Sequence, residues 1–81
     1  MNPLFASLVV GLAHQAEQAL EGSLPEGVSG VPDAREVARA LIDTLGMLDE
    51  KTRGHLDPDE QRLLGETLTA LRFRFVAMGK A

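Results

Sequence analysis

The sequence predicts an all-α protein, a three-helix unit that contains an antiparallel helical hairpin. Apolar residues recur at spacings of three and four in three stretches, each stretch opens on capping residues, and glycine or proline separates them. With 81 residues the chain forms one domain. The predicted helices cover about residues 3–21, 34–53 and 58–78, and residues 22–33 form a loop.

The first helix is predicted to begin at Asn2 and Pro3, which suit the N-cap and the first helical position. Gly22 marks its end, and Gly11 inside it costs about 1 kcal/mol relative to alanine, which a close helix crossing would offset. The apolar arc exceeds the usual width of roughly 100°, which predicts burial on more than one side. Its main face comprises Leu4, Phe5, Leu8, Leu12, Ala16 and Ala19, with Val9, Ala13 and Leu20 on the flank and Val10 nearly opposite.

The second helix follows a connector rich in glycine and proline. Asp33 and Glu36 have the spacing of a capping box, so the helix is expected to start there. Pairs of opposite charge four residues apart indicate a solvated outer side. The apolar row of this helix comprises Leu41, Leu45 and Leu48, extended backwards by Ala34 and by Val37 or Ala38.

The hairpin between the second and third helices has the clearest local signals. Gly54 is expected to take the left-handed conformation that often follows a helix. Asp57, Pro58 and Glu60 then provide an N-cap, a first-position proline and a capping box. Only about three residues separate the two helices, so they should pack antiparallel. The apolar seam of the third helix is Leu64, Leu68, Leu71, Phe75 and Met78.

A resemblance to a known family is carried by three stretches, FASLVVGLAHQA, LIDTLGMLDEKTRGHLDPDE and LRFRFV, which together span most of the chain. They resemble a family of short bacterial proteins known only as a domain of unknown function. In that family an asparagine often stands at the position of His55, and a serine can stand at Gly11. The resemblance implies a small, intracellular, helical protein without a known reaction, and it implies no site residue.

Composition narrows the classes of function. The formal net charge of −4 argues against nucleic-acid binding over a broad surface. The chain has no cysteine, so disulfides and thiolate metal sites are excluded. The apolar run of residues 4–13 lacks a basic leader and is shorter than the roughly 20 residues that span a membrane. A cytoplasmic protein is expected.

Two pairs of histidine and carboxylate are the candidates for chemistry. His14 and Glu17 are three residues apart, and His55 lies close to Asp57, Asp59 and Glu60 in the sequence. Neither spacing forms a known ligand motif, and Asp57 and Glu60 are accounted for by capping. We therefore expect a protein that is not an enzyme and has no catalytic residue, metal or cofactor.

The C-terminal end of the third helix is the candidate for contact with a partner. Phe73 lies nearly opposite the apolar seam, between Arg72 and Arg74. An aromatic ring between arginines can stack on a base, or it can anchor a protein interface. The acidic chain favours the protein interface, and weak nucleic-acid binding remains the alternative.

Apolar residues off the main rows exceed what one small bundle needs to bury. The sequence therefore predicts a homo-oligomer, a dimer or a tetramer, with the first helix at the two-fold interface. An unidentified protein is the other expected partner, and a membrane-surface protein that uses the first helix is a further alternative. The off-row residues are Val9, Val10, Leu20, Ile42, Met47, Leu63, Phe73 and Val76. The interface candidates are Phe5, Val9, Val10, Leu20, Phe73 and Val76.

Overall fold

A computed structural model describes residues 1–21 and 34–78, which form three α-helices and contain no strand. The helices are α1 (Pro3–Leu20), α2 (Ala34–Lys51) and α3 (Pro58–Met78), and each of them contacts the other two. The prediction of an all-α protein with three helices is therefore confirmed. The predicted loop and its Asp33 cap lie outside the described residues.

The core lies where the three helices meet. Each helix contributes three residues that are at most 5% exposed, so no helix is peripheral to the core. Burial of each leucine or valine there stabilises the fold by about 1.5–3 kcal/mol. The α3 seam is confirmed at its three leucines. The core residues are Val9, Ala16 and Ala19 from α1, Ala38, Ile42 and Leu45 from α2, and Leu64, Leu68 and Leu71 from α3.

The buried face of α1 differs from the predicted one. Val9 is fully buried, whereas Leu4 is 80% exposed and Leu8 is 49% exposed. The expectation that Val9 would face water in a single three-helix unit is wrong. Leu4 and Val9 are five residues apart, which is about 140° around a helix, so a helix that buries Val9 deeply turns Leu4 outward.

The apolar excess is smaller than the sequence predicted. Ile42 belongs to the core of the single chain, because α2 packs against both other helices and buries a wide arc. Leu20 and Leu63 are half-buried against that core. Four of the eight off-row residues remain exposed: Val10, Met47, Phe73 and Val76.

Of the three predicted N-caps, the two that lie in the described residues, Asn2 and Asp57, are confirmed. The Asn2 Oδ1 atom accepts hydrogen bonds from the backbone amides of Leu4 at 2.8 Å and Phe5 at 3.3 Å. At the start of α3, the Glu60 amide donates to Asp57 Oδ1 at 2.8 Å, and the Asp57 amide donates to Glu60 Oε1 at 3.0 Å. These bonds satisfy amides that the first turn of a helix leaves unpaired.

The connection from α2 to α3 turns at Gly54, whose φ is +85°. The His55 amide donates to the Thr52 carbonyl at 2.9 Å, which closes a four-residue turn with Gly54 in its third position. A type II turn requires a positive φ there. The predicted left-handed glycine is confirmed, although α2 already ends at Lys51, so the glycine belongs to the turn and not to the helix end.

Within residues 1–21 and 34–78, no helix crosses closely at Gly11. It lies on an exposed side of α1, and a Cβ atom added there would meet nothing within 4 Å. The expectation of a close approach at this position is wrong. The helical arc that Gly11 occupies faces away from α2 and α3, since the opposite arc carries the core residue Val9.

Candidate interaction surface

A groove of about 280 Å³ opens between α2 and α3 on the outside of the bundle. Its volume is close to the lower end of the range for small-molecule sites, which suits one or two side chains of a partner. Apolar side chains from both helices form its floor, and charged side chains form its rim. The floor is Ile42, Phe75 and Val76, and the rim is Arg39, Asp43 and Arg72.

Two arginines of α2 extend the positive character of this groove. The guanidinium carbon of Arg35 lies 4.5 Å from the centre of the Phe75 ring, a cation–π contact. Arg39 approaches Asp43 at 3.9 Å, and both side chains are more than two-thirds exposed. A pair so exposed and so long contributes little to stability, so Arg39 remains available to a second carboxylate.

Arg72 of α3 lies across α2 at Gly46. A Cβ atom added to Gly46 would lie 3.1 Å from Arg72 Nη2, so the missing side chain makes room for the guanidinium. Within residues 1–21 and 34–78, Arg72 forms no ion pair. The rim of the groove therefore carries a positive charge that no described residue neutralises.

Exposed apolar side chains continue the groove on both helices. Phe73 is 77% exposed and Val76 is 54% exposed, and their spacing of three makes them neighbours on α3. Met47 of α2 is 47% exposed and follows Asp43 by four residues, so it lies beside the rim. We call the groove with these three side chains the α2–α3 face.

The predicted interface residues do not form one surface. Phe73 and Val76 are exposed neighbours on α3, and Val76 lines the groove. Val10 is 57% exposed but lies on the outer side of α1. The remaining three do not project from the bundle: Val9 is in the core, and Phe5 and Leu20 are half-buried against it.

The structure does not bring Arg72 and Arg74 together around Phe73. Successive residues of a helix are about 100° apart, so the two arginines lie on different sides of α3. Arg72 reaches the groove, whereas Arg74 lies 3.9 Å from a carboxylate oxygen of each of Glu17 and Glu21 on α1. This geometry separates the two cations that the nucleic-acid alternative would use jointly.

The described part of the chain was also compared with what a metal site or a membrane-spanning helix requires. His14 and His55 are both exposed. No group of three or more histidine, aspartate or glutamate side chains in residues 1–21 and 34–78 is arranged to hold a metal ion. None of the helices described is both long and apolar enough to cross a membrane.

Sequence reasoning missed the α2 side of the groove. Arg35, Arg39 and Asp43 recur every four residues along α2, and Arg72 and Val76 have the same spacing on α3. Spacings of four mark one side of a helix, so both rows were visible in the sequence. Their mutual approach was not, because it depends on how the two helices are rotated against each other.

Comparison with models of protein families gives a match over residues 2–77, to a domain of unknown function (DUF1844). The match covers almost the whole chain, which confirms the family resemblance seen in the sequence. No curated protein and no solved structure matches the chain.

Proposed function

Because the chain belongs to the DUF1844 family, which has no assigned activity, we propose a function from the geometry alone. The protein is a non-catalytic, self-associating helical protein of the cytoplasm, and its α2–α3 face is its protein-interaction surface. The observation that carries this proposal is the exposure of Phe73, at 77%, one helical turn from Val76, which is itself exposed and lines an apolar groove. Soluble monomers seldom leave a large aromatic side chain in water next to further apolar surface.

The composition of the α2–α3 face supports a protein partner. Phenylalanine, methionine and arginine are enriched in protein interfaces, and this face carries all three. Arginine and aromatic side chains also dominate the binding energy of such interfaces. The floor of the groove supplies apolar area that a partner can bury. The arginines can pair with carboxylates of that partner and so fix its orientation.

We take α2 and α3 to be antiparallel, as the short connection predicts. The Gln61 side chain donates to Asp49 Oδ1 at 3.0 Å near the turn, and Arg72 meets Gly46 further from it. Contacts that move outward from the turn on both helices support a hairpin. In a hairpin the α2–α3 face lies along both helices.

The membrane-surface alternative fits α1 less well. Leu4 and Leu8 are exposed on it, but α1 contains no lysine or arginine. Helices that lie on anionic membranes usually carry both cations and a broad apolar face. The nucleic-acid alternative is weakened by the net charge of −4 and by the position of Arg72 and Arg74 on different sides of α3.

Light scattering coupled to size exclusion tests self-association directly. We expect a mass that is a multiple of the 8.7 kDa chain at tens of micromolar. Phe73→Ser should shift the mass toward the monomer, since it removes the exposed aromatic side chain from the α2–α3 face.

Leu4→Ser is the matched control, because Leu4 is equally exposed, at 80%, but lies on α1. It should leave the mass unchanged. A wild-type protein that elutes only as an 8.7 kDa species would refute self-association. Dissociation by Leu4→Ser but not by Phe73→Ser would move the interface to α1.

A further inference from the structure

We propose that the groove between α2 and α3 receives the α2 helix of a second copy, related by a two-fold axis. The inference deepens the self-association proposed above and rests on it. It adds which helix occupies the groove and in what register the two copies meet. The partner's Met47 enters the groove, and carboxylates on either side of it meet the arginines of the rim.

The outer side of α2 carries the charge that the groove lacks. Asp43, Met47 and Glu50 follow one another at spacings of four and three, so they share one side of the helix. All three are exposed. Among the described residues Glu50 has no ion pair. An exposed methionine between two carboxylates is therefore complementary to an apolar groove whose rim carries two arginines against one carboxylate, Asp43.

A two-fold axis on the outer side of α2, at the level of residue 45 along the helix, brings these groups together. In two antiparallel copies of α2, residues whose numbers differ equally from 45 face each other. The partner's Asp43 then faces position 47, beside Gly46, where Arg72 lies. The partner's Met47 faces position 43 on the rim of the groove, and the partner's Glu50 faces position 40, next to Arg39.

Gly46 is placed at the centre of this contact. It has no side chain, and the Arg72 guanidinium lies in the space that a side chain would take. Arg72 is thus presented to the partner without a rearrangement of α2.

The second copy suits this groove better than an unrelated acidic protein, because acceptor and donor surfaces lie side by side on the same chain. In a two-fold dimer each contact forms twice, so two charge pairs of different kinds become four. Each copy covers the exposed Met47 and Val76 of the other. One symmetric contact therefore covers apolar surface and neutralises the arginine rim on both chains.

A charge exchange tests this register. In a homodimer, Arg72→Asp and Asp43→Arg each place like charges opposite each other twice. Each substitution should therefore raise the dissociation constant of the dimer at least tenfold. In an equimolar mixture of the two variants, both pairs regain opposite charges, so the mixture should form a heterodimer of twice 8.7 kDa. Mass and affinity are measured by sedimentation equilibrium in low salt and again in high salt, where the variants should differ less.

The control is Gln18→Arg, which adds a charge at an exposed position of α1, away from the α2–α3 face, and should leave the dimer intact. Circular dichroism verifies the fold of each variant. If Arg72→Asp does not fold, Arg39→Asp with Glu50→Arg tests the same register at the second predicted charge pair.

The outcomes separate this inference from the proposed function. A monomeric wild type overturns both. A wild-type dimer that is insensitive to both charge changes places self-association elsewhere and overturns only the register. Weakened single variants that fail to recover on mixing also overturn it, because the arginines would then serve a different acidic surface.

Discussion

The backbone amide of Asn2 donates a hydrogen bond of 2.8 Å to Glu60 Oε2, across 58 positions of the chain. The other oxygen of the same carboxylate accepts from the Asp57 amide within the capping box. One side chain therefore joins the N-terminal ends of α1 and α3. Glu60 is only 8% exposed and is the one charged side chain in the buried part of the described residues.

Replacement of Glu60 by alanine is expected to destabilise the protein by about 1–3 kcal/mol. Two backbone amides, those of Asn2 and Asp57, would lose their acceptor in a partly buried place. The free energy of unfolding can be measured by denaturation with urea, followed by circular dichroism because the chain has no tryptophan or tyrosine.

Glu66→Ala is the control for this measurement. Glu66 is an exposed glutamate of the same helix, and its replacement should change the unfolding free energy by less than about 0.5 kcal/mol. Equal effects of the two substitutions would mean that the bond between Asn2 and Glu60 makes no net contribution in solution.

Acid should weaken the start of α3 through Asp57. The bond from the Glu60 amide, with a further contribution from the Met1 ammonium 3.2 Å away, lowers the pKa of Asp57 below its ordinary value of 3.8. A carboxyl group whose pKa is lower in the native state stabilises that state above the unfolded pKa. This contribution is lost as the pH falls below 3.8 and through the native pKa of Asp57.

Asp57→Asn isolates that effect, because asparagine is also a good N-cap residue but does not titrate. The difference in unfolding free energy between wild type and variant should be constant near neutral pH. It should shrink as the pH falls below 3.8. A difference that stays constant down to strongly acidic pH would show that Asp57 has the same pKa in both states.

Gly54→Val should destabilise the hairpin by at least about 1 kcal/mol. The backbone of Gly54 has φ of +85°, where a side chain collides with the neighbouring carbonyl and a β-branched one is most strained. Asparagine tolerates this conformation better, so Gly54→Asn should cost clearly less. Two variants with the same unfolding midpoint as the wild type would contradict the positive φ.

Gly11→Ala should stabilise the protein by about 0.5–1 kcal/mol, because glycine inside a helix is entropically unfavourable. A Cβ atom at this position meets nothing within 4 Å. Gly46→Ala provides the contrast, since its Cβ atom would lie 3.1 Å from the Arg72 guanidinium and part of the gain should be lost. Thermal unfolding of both variants tests this order, and a larger gain at Gly46 would contradict it.

Local signals in this sequence predicted the helix starts and the turn. Asn2 and Asp57 act through amides two or three residues away, so their caps depend on neighbours in the sequence alone. The positive φ of Gly54 is likewise a property of one residue in one turn. The bond between Asn2 and Glu60 had no such signal, because it exists only once α1 and α3 are packed.

The rotation of α1 was mispredicted because its apolar residues cover a wide arc. Such a pattern shows that much of the helix can be buried but does not say which part α2 and α3 reach. Ala16 and Ala19 are buried as their place on the predicted face implied, but packing turned the helix toward Val9 and left Leu4 and Leu8 exposed. The groove was missed because its rim is polar, so that no apolar period in the sequence marks it.

The three phenylalanines lie in three different environments. Phe5 packs against the core, Phe75 lies under the Arg35 guanidinium at the groove, and Phe73 projects into water. Since the chain has no tyrosine or tryptophan, the signals of benzene rings in its NMR spectrum come from these three phenylalanines alone. The wild-type protein therefore needs no label or mutation for this experiment. The ring resonances of Phe5 would report unfolding, those of Phe75 would report filling of the groove, and those of Phe73 would report coverage of the outer surface.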